Sequence, residues 1–240
     1  MKLECVTVHV VTADSITPNT VAECLDEEEL DRAGQFKLAR HGFLWSVYRA
    51  ALRIILGQHL GLEARQVPIT LTAQGKPMLA APFDSIHFNL SHCDDLGLVA
   101  VSRSGPIGID LEHSRRAEDL LECEATFCHP EEIDVLPDNA GARACRLLEI
   151  WTAKEAFLKA LGTGLFTPPE QIILRFDQGE ITALSPQGPT HRVIRLRSPL
   201  FPNHLAHLCA LQPIGDVEML NVLKIPITDR EFSPNRPWPT

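Results

Sequence analysis

Two carboxylates lie on one face of a short predicted strand, at Asp110 and Glu112 within residues 106–112. Successive side chains of a strand point to opposite faces, so the apolar residues that alternate with them face the other way. The two carboxylates would stand roughly 6 to 7 Å apart at a rise of about 3.3 Å per residue. They would repel each other unless water or a cation offset their charge. The pattern therefore allows a solvated strand face or a site for a hard cation.

A second group of charges lies on a predicted helix, residues 143–161, whose apolar side chains form one broad stripe. Lys154 and Glu155 fall inside this stripe, and Lys159 lies at its edge, four residues after Glu155. Burying such charges without partners is costly. Two interpretations remain. Glu155 and Lys159 form a simple helix pair worth about 0.2–0.5 kcal/mol, or the charges face a polar cavity at the rim of the core.

Small polar and basic side chains are spread over the first hundred residues. Ser91 and His92 precede a buried-looking strand, and Lys76 lies in a Gly–Lys–Pro turn where Pro77 forces an extended neighbour. A basic helical segment carries Lys37, Arg40, Arg49 and Arg53. Taken singly, such residues are typical of structural histidines and solvated charges. Combined with three acids able to hold a hard divalent cation, they predict phosphoryl chemistry.

The periodicity of the chain predicts the elements that must hold these groups. Helical spacing covers residues 26–57, and Pro130 followed by two glutamates marks another helix start. Alternating or short apolar segments predict strands over residues 3–11, 96–102, 107–112, 172–176, 180–184, 191–196 and 205–211. The polar break at residues 103–105 divides the chain. The order of strands and helices predicts an α+β protein with antiparallel sheets.

Composition excludes several classes of protein. The chain has 240 residues, of which 45% are hydrophobic and 22% charged, and a net charge of -9. This composition predicts a globular domain, and the negative charge argues against nucleic acid or an anionic membrane as a partner. The seven cysteines are odd in number and contain no C-x-x-C pair, which favours reduced thiols. The N-terminal segment lacks the apolar block of a signal peptide, so we expect a cytoplasmic protein.

Four motifs then occur in a familiar order: GKPML at 75–79, FNLSHCDD at 88–95, PIGIDLE at 106–112 and WTAKEAFLKALGTGL at 151–165. In this series the chain resembles the 4′-phosphopantetheinyl transferases, and its length is similar to the long, surfactin-synthetase-activating (Sfp-type) branch. The resemblance implies two similar α/β halves in a pseudo-twofold monomer, each a small antiparallel sheet packed with helices. Residues 1–104 would supply coenzyme A nucleotide contacts. Residues 105–240 would supply the metal site, the catalytic helix and the carrier-protein docking surface.

The resemblance also implies roles for individual residues. The expected reaction moves the 4′-phosphopantetheine arm of coenzyme A onto a serine of an apo acyl or peptidyl carrier protein and releases 3′,5′-ADP. Mg²⁺ would be held by Asp110, Glu112 and Glu155, while Lys159 would neutralise phosphate oxygens. Glu155 is the first choice for the base that takes the serine proton, with Glu112 or a metal-bound water as alternatives. The implied coenzyme A contacts are Lys37, Arg40, Lys76, Ser91, His92, Lys154 and Lys159.

Departures and competing interpretations accompany the resemblance. Cys93 and the two aspartates after it stand where many relatives carry Ser or Thr and then a small residue. A magnesium-dependent phosphohydrolase could use the same three acids with water as the nucleophile, and a binding module for coenzyme A or a carrier protein could have lost turnover. A zinc site could use His113, Cys123, Cys128 and His129. The spacing of these four residues lacks paired ligand units, which argues against it.

Overall fold

The computed structural model describes residues 4–186 and 188–220. These residues form two compact units. One contains residues 11–67, and the other contains residues 4–10 together with residues 68–220. The predicted halves 1–104 and 105–240 have other bounds, and residues 221–240 lie outside the described residues. The division into halves stays a prediction.

The unit of residues 11–67 is helical. It contains α1 (Pro18–Cys24), α2 (Glu27–Gly34) and α3 (Ala39–Leu60). The predicted single helical region over 26–57 is therefore two helices. Asp26 begins α2 with a capping box, in which its side chain accepts from the Glu29 amide at 2.9 Å and the Glu29 carboxylate accepts from the Asp26 amide at 3.2 Å.

The larger unit contains a four-stranded sheet. In chain order the first six strands are β1 (Val6–Thr12), β2 (Ile69–Leu71), β3 (Pro77–Leu79), β4 (His87–Cys93), β5 (Leu96–Ser102) and β6 (Ile107–His113). The sheet has the order β11-β1-β5-β4, where β11 is Val217–Leu220. β4 pairs antiparallel with β5, whereas β1 pairs parallel with β11. That parallel pair departs from the predicted antiparallel pattern. β2 and β3 form a separate two-stranded hairpin.

The second half of the chain contains a five-stranded antiparallel sheet. It consists of β6 with β7 (Ile173–Asp177), β8 (Glu180–Leu184), β9 (Thr190–Leu196) and β10 (His204–Ala210), in the order β6-β10-β9-β8-β7. The short helix α4 (Pro130–Ile133) and the long helix α5 (Ala140–Leu161) belong to the same unit. The structure thus confirms the predicted α+β class. None of the described helices is long and apolar enough to cross a membrane.

The apolar face of α5 covers the five-stranded sheet, as its stripe predicts. Leu147, Phe157 and Ala153 are completely buried in one core with sheet residues such as Cys209. α5 begins three residues earlier than predicted because the Asn139 side chain accepts a hydrogen bond from the Ala142 amide at 3.0 Å. The helix ends at the left-handed Gly162, with φ of 73°.

The contact between β6 and α5 is unusually close at Gly108. A Cβ atom built there would lie 2.1 Å from the Ala156 carbonyl oxygen and 2.3 Å from the Ala160 amide nitrogen. Both neighbours are helix backbone, which cannot give way as a side chain can. Glycine therefore lets the strand lie directly against the helix and brings Asp110, two residues further along, beside the last turns of α5.

This contact makes Gly108→Ala a test of the packing. We expect the substitution to lower the free energy of unfolding by about 1–3 kcal/mol or more, because the methyl group would push strand and helix apart. Chemical denaturation of both proteins measures the difference. Gly34→Ala is the matched control, since a Cβ there meets nothing within 4 Å. Equal losses in the two variants would contradict the packing argument.

Candidate active site

Two polar side chains of β4 join that strand to β6. The Asn89 side-chain oxygen accepts from the Ile109 amide at 2.8 Å, and the Ser91 hydroxyl oxygen accepts from the Leu111 amide at 3.2 Å. Alternation along a strand puts Asn89 and Ser91 on the same side. These side-chain bonds stand where backbone pairing would otherwise occur, and they place Ser91 beside Asp110.

Asp110 is the centre of a buried network. Its side chain is almost completely buried, and its Oδ1 accepts from the Lys159 ammonium at 2.5 Å and from the Ser91 hydroxyl at 3.1 Å. Lys159 also donates to the Ser91 oxygen at 3.2 Å. The second carboxylate oxygen of Asp110, Oδ2, is buried without a hydrogen-bond partner. Of the two interpretations of the strand, the solvated face is wrong for Asp110, whose carboxylate is closed off from water.

Glu112 and Glu155 complete the acidic group. Glu112 is half-buried, forms an ion pair with Arg116 and accepts from the Trp151 indole at 3.4 Å. The pKa of Glu155 is raised above its ordinary value, first by burial and then by the negative charge of Asp110, with Glu112 adding to the effect and Lys159 opposing it. Arg116 and Trp151 are partners that the sequence analysis missed. Arg116 follows Glu112 by four residues, but only the 3-10 turn over residues 114–122 shows that they meet.

The arrangement answers the open question about α5. The ammonium of Lys159 forms its ion pair with Asp110 on another element. The simple helix pair with Glu155 is therefore not the role of Lys159. The alternative, a polar cavity at the rim of the core, is the one that the structure contains.

That cavity has a volume of about 330 Å³ and is lined by residues of α5 and of the β2–β3 turn, including Lys76, Asn89, Glu155, Lys159 and Gly162. Its size falls within the range of small-molecule sites. The Lys76 ammonium donates to the carbonyl oxygens of Ile107 at 3.1 Å and Ala160 at 3.2 Å. Burial lowers the pKa of Lys76 to about 8. A lysine, a second lysine and a carboxylate thus line one cavity, which suits a phosphate-bearing ligand.

The acidic group fits a divalent cation by its chemistry. Asp110 offers a buried oxygen without a donor, and the pKa of Glu155 reflects like charges that a cation would relieve. Oxygen atoms of carboxylates are the ligands that Mg²⁺ prefers. Among the described residues, the three carboxylates are not a group whose ligand atoms all lie within 4.8 Å of one another. In this structure Lys159 and Arg116 provide part of the neutralising charge instead.

Ser91 and His92 lie at the edge of this network. Ser91 is buried and hydrogen-bonded to Asp110, Leu111 and Lys159, while the neighbouring His92 is exposed. The pKa of His92 lies below its ordinary value, first because the protein partly withdraws its ring from water and second because of the positive charge of Lys159. The structure therefore brings together Ser91, His92, Asp110 and Lys159. Their predicted contacts with coenzyme A stay predictions.

Lys154 stands apart from the cavity charges. Its side chain is completely buried, and its ammonium lies 2.7 Å from Glu132, 2.8 Å from the Phe127 carbonyl oxygen and 3.0 Å from the Pro169 carbonyl oxygen. Three acceptors occupy the three ammonium protons, so none is left for a phosphate. The structure does not bring Lys154 to the predicted coenzyme A contacts, and it indicates that this lysine holds the loop at Pro169, which lines the cavity.

A stability measurement tests whether Lys154 stabilises the fold as a buried ion pair or contributes little, as an exposed ion pair does. We expect Lys154→Met to lower the free energy of unfolding by about 3–5 kcal/mol, because Glu132 would be left buried without its charge partner. Chemical denaturation provides the value. Arg175→Ala is the control, since it breaks the exposed pair of Arg175 with Glu131 and is expected to cost less than about 1 kcal/mol. A small loss in Lys154→Met would contradict the structural role.

The basic residues of the helical unit have different environments. Lys37 and Arg40 are exposed, and their predicted contacts with coenzyme A stay predictions. Arg49 forms an ion pair with Glu29. Arg53 is buried, donates to Glu29 and Asp26 at 2.6 Å each, and also donates to three carbonyl oxygens after α3. Arg49 and Arg53 therefore stabilise the helical unit through the α2 cap.

The alternative zinc interpretation finds no support in the described part of the chain. The Nδ1 atoms of His113 and His129 accept from nearby backbone amides at 3.1 and 3.3 Å. Cys128 is buried in the core, and burial raises its pKa to about 12. Among residues 4–186 and 188–220, the four residues His113, Cys123, Cys128 and His129 do not form a group with adjacent ligand atoms.

Comparisons with known proteins agree with this geometry. The family model described as "4′-phosphopantetheinyl transferase superfamily" matches residues 106–207, and the model described as "4′-phosphopantetheinyl transferase, N-terminal" matches residues 16–104. The chain is 37% identical over 174 residues to the 4′-phosphopantetheinyl transferase HetI of a Nostoc species, which covers 70% of this chain and 69% of that protein.

Two further relatives have related names. A putative 4′-phosphopantetheinyl transferase of a Synechocystis species is 32% identical over 169 residues, covering 70% of this chain and 69% of that protein. The 4′-phosphopantetheinyl transferase gsp of Aneurinibacillus migulanus is 28% identical over 179 residues, covering 74% of this chain and 72% of that protein. The matched regions contain β4, β6 and α5, the elements that build the cavity and the acidic group.

Proposed function

This chain belongs to the 4′-phosphopantetheinyl transferase superfamily, and from that membership we propose that it transfers the 4′-phosphopantetheine arm of coenzyme A to a serine of an apo carrier protein. The reaction depends on Mg²⁺ and releases 3′,5′-ADP. The proposed substrates are acyl or peptidyl carrier domains of fatty-acid, polyketide or nonribosomal-peptide systems. The protein acts as a monomer in the cytoplasm, where its seven cysteines, all free thiols, would stay reduced.

One observation carries the proposal: the orphaned Oδ2 atom of buried Asp110 lies in a network with Lys159, which lines a cavity of about 330 Å³. A buried carboxylate oxygen without a donor is costly. A site that binds a cation and a pyrophosphate would offset that cost when it is occupied. The cavity takes residues from both sides of residue 104, such as Lys76 and Glu155, so both proposed halves would contribute to binding coenzyme A.

Asp110, Glu112 and Glu155 would hold the Mg²⁺ ion. When bound there, the ion would supply positive charge that offsets the negative charge developing as the phosphodiester is attacked. Lys159 would donate to phosphate oxygens, because it lines the cavity and, within the described part of the chain, only two of its three ammonium protons have acceptors, at Asp110 and Ser91. Ser91 holds Asp110 and Lys159 in place through its hydroxyl group.

The proposed transfer forms one bond and breaks one. The carrier serine oxygen bonds to the phosphorus on the pantetheine side of the pyrophosphate, and the bond from that phosphorus to the bridging oxygen breaks. The electron pair leaves with 3′,5′-ADP, and the serine proton passes to the Glu155 carboxylate. The raised pKa of Glu155 supports this assignment, since a base works best when its pKa lies near the working pH.

Lys76 is proposed to contact the 3′-phosphate of coenzyme A. Two of its three ammonium protons have carbonyl acceptors, so one remains for the ligand. We expect Lys76→Met to raise the KM for coenzyme A about 10- to 100-fold, the effect of losing one hydrogen bond from a charged donor. Because the pKa of Lys76 is about 8, the wild-type KM should also rise as pH increases from neutral to alkaline.

Dephospho-coenzyme A, which lacks the 3′-phosphate, is the control for this prediction. Steady-state kinetics of both proteins with both substrates form a double-mutant cycle. Lys76→Met and wild type should have similar KM values for dephospho-coenzyme A. If Lys76→Met raised the KM for both substrates by the same factor, Lys76 would not contact the 3′-phosphate.

Intact-mass spectrometry of apo carrier proteins tests the proposed function. Incubation with the protein, coenzyme A and Mg²⁺ should add the mass of one phosphopantetheine, and the addition should disappear with EDTA. Hydrolysis of coenzyme A without a change in carrier mass would favour the phosphohydrolase. Binding of coenzyme A without turnover on fatty-acid, polyketide and peptide carriers would favour the inactive binding module.

A further inference from the structure

Three side chains of metal-binding type meet where β4 ends and β10 begins. Cys93 is the last residue of β4, Asp94 follows in the turn to β5, and His204 is the first residue of β10. One ligand atom from each of them, a sulfur, a carboxylate oxygen and a ring nitrogen, lies within 4.8 Å of the other two. Among the described residues, no other three His, Cys, Asp or Glu side chains have ligand atoms that all lie within 4.8 Å of one another.

The fold brings these residues together from distant parts of the chain. β6 and β10 pair so that His113 lies opposite His204, and the Ser91 hydroxyl oxygen of β4 accepts from the Leu111 amide of β6 at 3.2 Å. Asp94 has a left-handed backbone with φ of 53°, which the tight turn between β4 and β5 requires. Three strands therefore hold the cluster, and its geometry does not depend on a long loop.

His204 is prepared to act as a ligand. Both of its ring nitrogens are buried and have no hydrogen-bond partner. The pKa of His204 lies below its ordinary value, first because of burial and then because of His113, with Asp94 opposing and Arg115 adding to the effect. A neutral imidazole offers one nitrogen lone pair to a metal, and none of the described residues forms a hydrogen bond with either ring nitrogen of His204.

The neighbouring groups have supporting roles. The His113 ring lies edge-on to His204, with ring centroids 4.7 Å apart, but its Nδ1 accepts from the Arg115 amide at 3.1 Å and the ring is therefore not a fourth ligand. The Arg115 guanidinium donates to Asp94 Oδ2 at 2.5 Å. Outer contacts of this kind orient the ligating group.

We propose that Cys93, Asp94 and His204 form a zinc site whose ligands differ from the three carboxylates around Asp110. A thiolate and an imidazole select Zn²⁺ over Mg²⁺, and three protein ligands leave one position of the tetrahedron for water. The metal would link the β4–β5 turn to β10 and so stabilise the strand that carries Ser91.

Cobalt substitution tests the site in the intact protein. Protein stripped of metal is titrated with Co²⁺ in buffer without Mg²⁺, and the thiolate-to-cobalt charge-transfer absorption is recorded. We expect one equivalent of Co²⁺ to produce this band, and Zn²⁺ to displace it. Cys93→Ser and His204→Gln should lose the band, whereas Cys145→Ser, at an exposed cysteine outside the cluster, and Asp110→Asn should keep it.

The proposal is overturned if folded wild-type protein gives no thiolate band, or if Cys93→Ser retains it. Circular dichroism checks that each variant is folded. Should His204→Gln not fold, Cys93→Ser and the melting temperature decide the question. Zn²⁺ should raise the melting temperature of the wild type and leave that of Cys93→Ser unchanged. Equal shifts in the two proteins would place zinc elsewhere.

Discussion

Replacement of Asp110 by asparagine is expected to lower kcat for carrier modification by about 10²–10³-fold, the effect of removing one preorganised electrostatic group from an active site. The amide oxygen can still accept from Ser91 and Lys159, so the network keeps its shape. The negative charge is lost, and with it the oxygen that would bind the cation. The expected result is therefore a folded protein with little turnover.

Two measurements make this prediction specific. Initial rates by intact mass give kcat, and thermal unfolding with and without Mg²⁺ reports on the metal site. Mg²⁺ should raise the melting temperature of the wild type and should have little effect on Asp110→Asn, because a ligand stabilises only a state that binds it. Asp177→Asn, at an exposed strand residue, is the control for a change of aspartate to asparagine. Wild-type turnover or an undiminished Mg²⁺ shift in Asp110→Asn would contradict the assignment.

The elements that carry the acidic group could be predicted from periodicity. The predicted strand over residues 107–112 is β6, Ile107–His113, and the predicted helix over 143–161 is α5, Ala140–Leu161. Alternation and helical spacing depend on local backbone geometry, and both segments are long enough to reveal them. The sequence therefore predicts which types of residue β6 and α5 contribute to the site, but not which of these residues contact each other.

The partner of each charge could not be predicted, because partners depend on packing. Lys154 and Lys159 both lie near the apolar stripe of α5, yet the first is sealed against Glu132 and the second reaches Asp110. Lys159 reaches Asp110 where Gly108 lets β6 lie against the helix backbone, whereas Lys154 faces Glu132 and the carbonyl oxygens of Phe127 and Pro169. Helical spacing predicts on which side of a helix a residue lies, but not which other element packs against that side.

The strand order likewise carries information that local patterns lack. His204 follows Cys93 by more than a hundred residues, and the two meet because β10 pairs with β6 while β4 is bonded to β6 through Asn89 and Ser91. For the same reason the sequence suggested a zinc ligand set around Cys123 and Cys128, where cysteine and histidine are close along the chain. Nearness along the chain was the wrong guide, because His113, Cys123, Cys128 and His129 do not form a group with adjacent ligand atoms in the described part of the chain.

Glu155→Gln is expected to reduce kcat by about 10²–10⁴-fold, the contribution of a general base. A base must be ionised to accept the serine proton. Without Mg²⁺, burial and the charges of Asp110 and Glu112 raise the pKa of Glu155, and bound Mg²⁺ would offset those charges. Wild-type kcat/KM measured with Mg²⁺ should therefore rise with pH as Glu155 loses its proton. The variant should lose this rising limb. Glu149 lies on the same helix and is paired with Arg146 and Arg195. Glu149→Gln should keep the wild-type kcat and the rise of kcat/KM with pH.

Stability should change in the opposite direction to activity, which separates a lost base from a damaged fold. A carboxyl group whose pKa is raised by folding binds protons more tightly in the native state, so its favourable contribution is present at low pH and is lost as pH rises through the raised pKa. In EDTA, Glu155→Gln should therefore gain stability relative to the wild type as pH increases from acidic to neutral. Chemical denaturation across this range measures the difference. A variant that is inactive and also less stable at neutral pH would point to a structural role for Glu155, since the ionised carboxylate would then stabilise the native state it is expected to oppose.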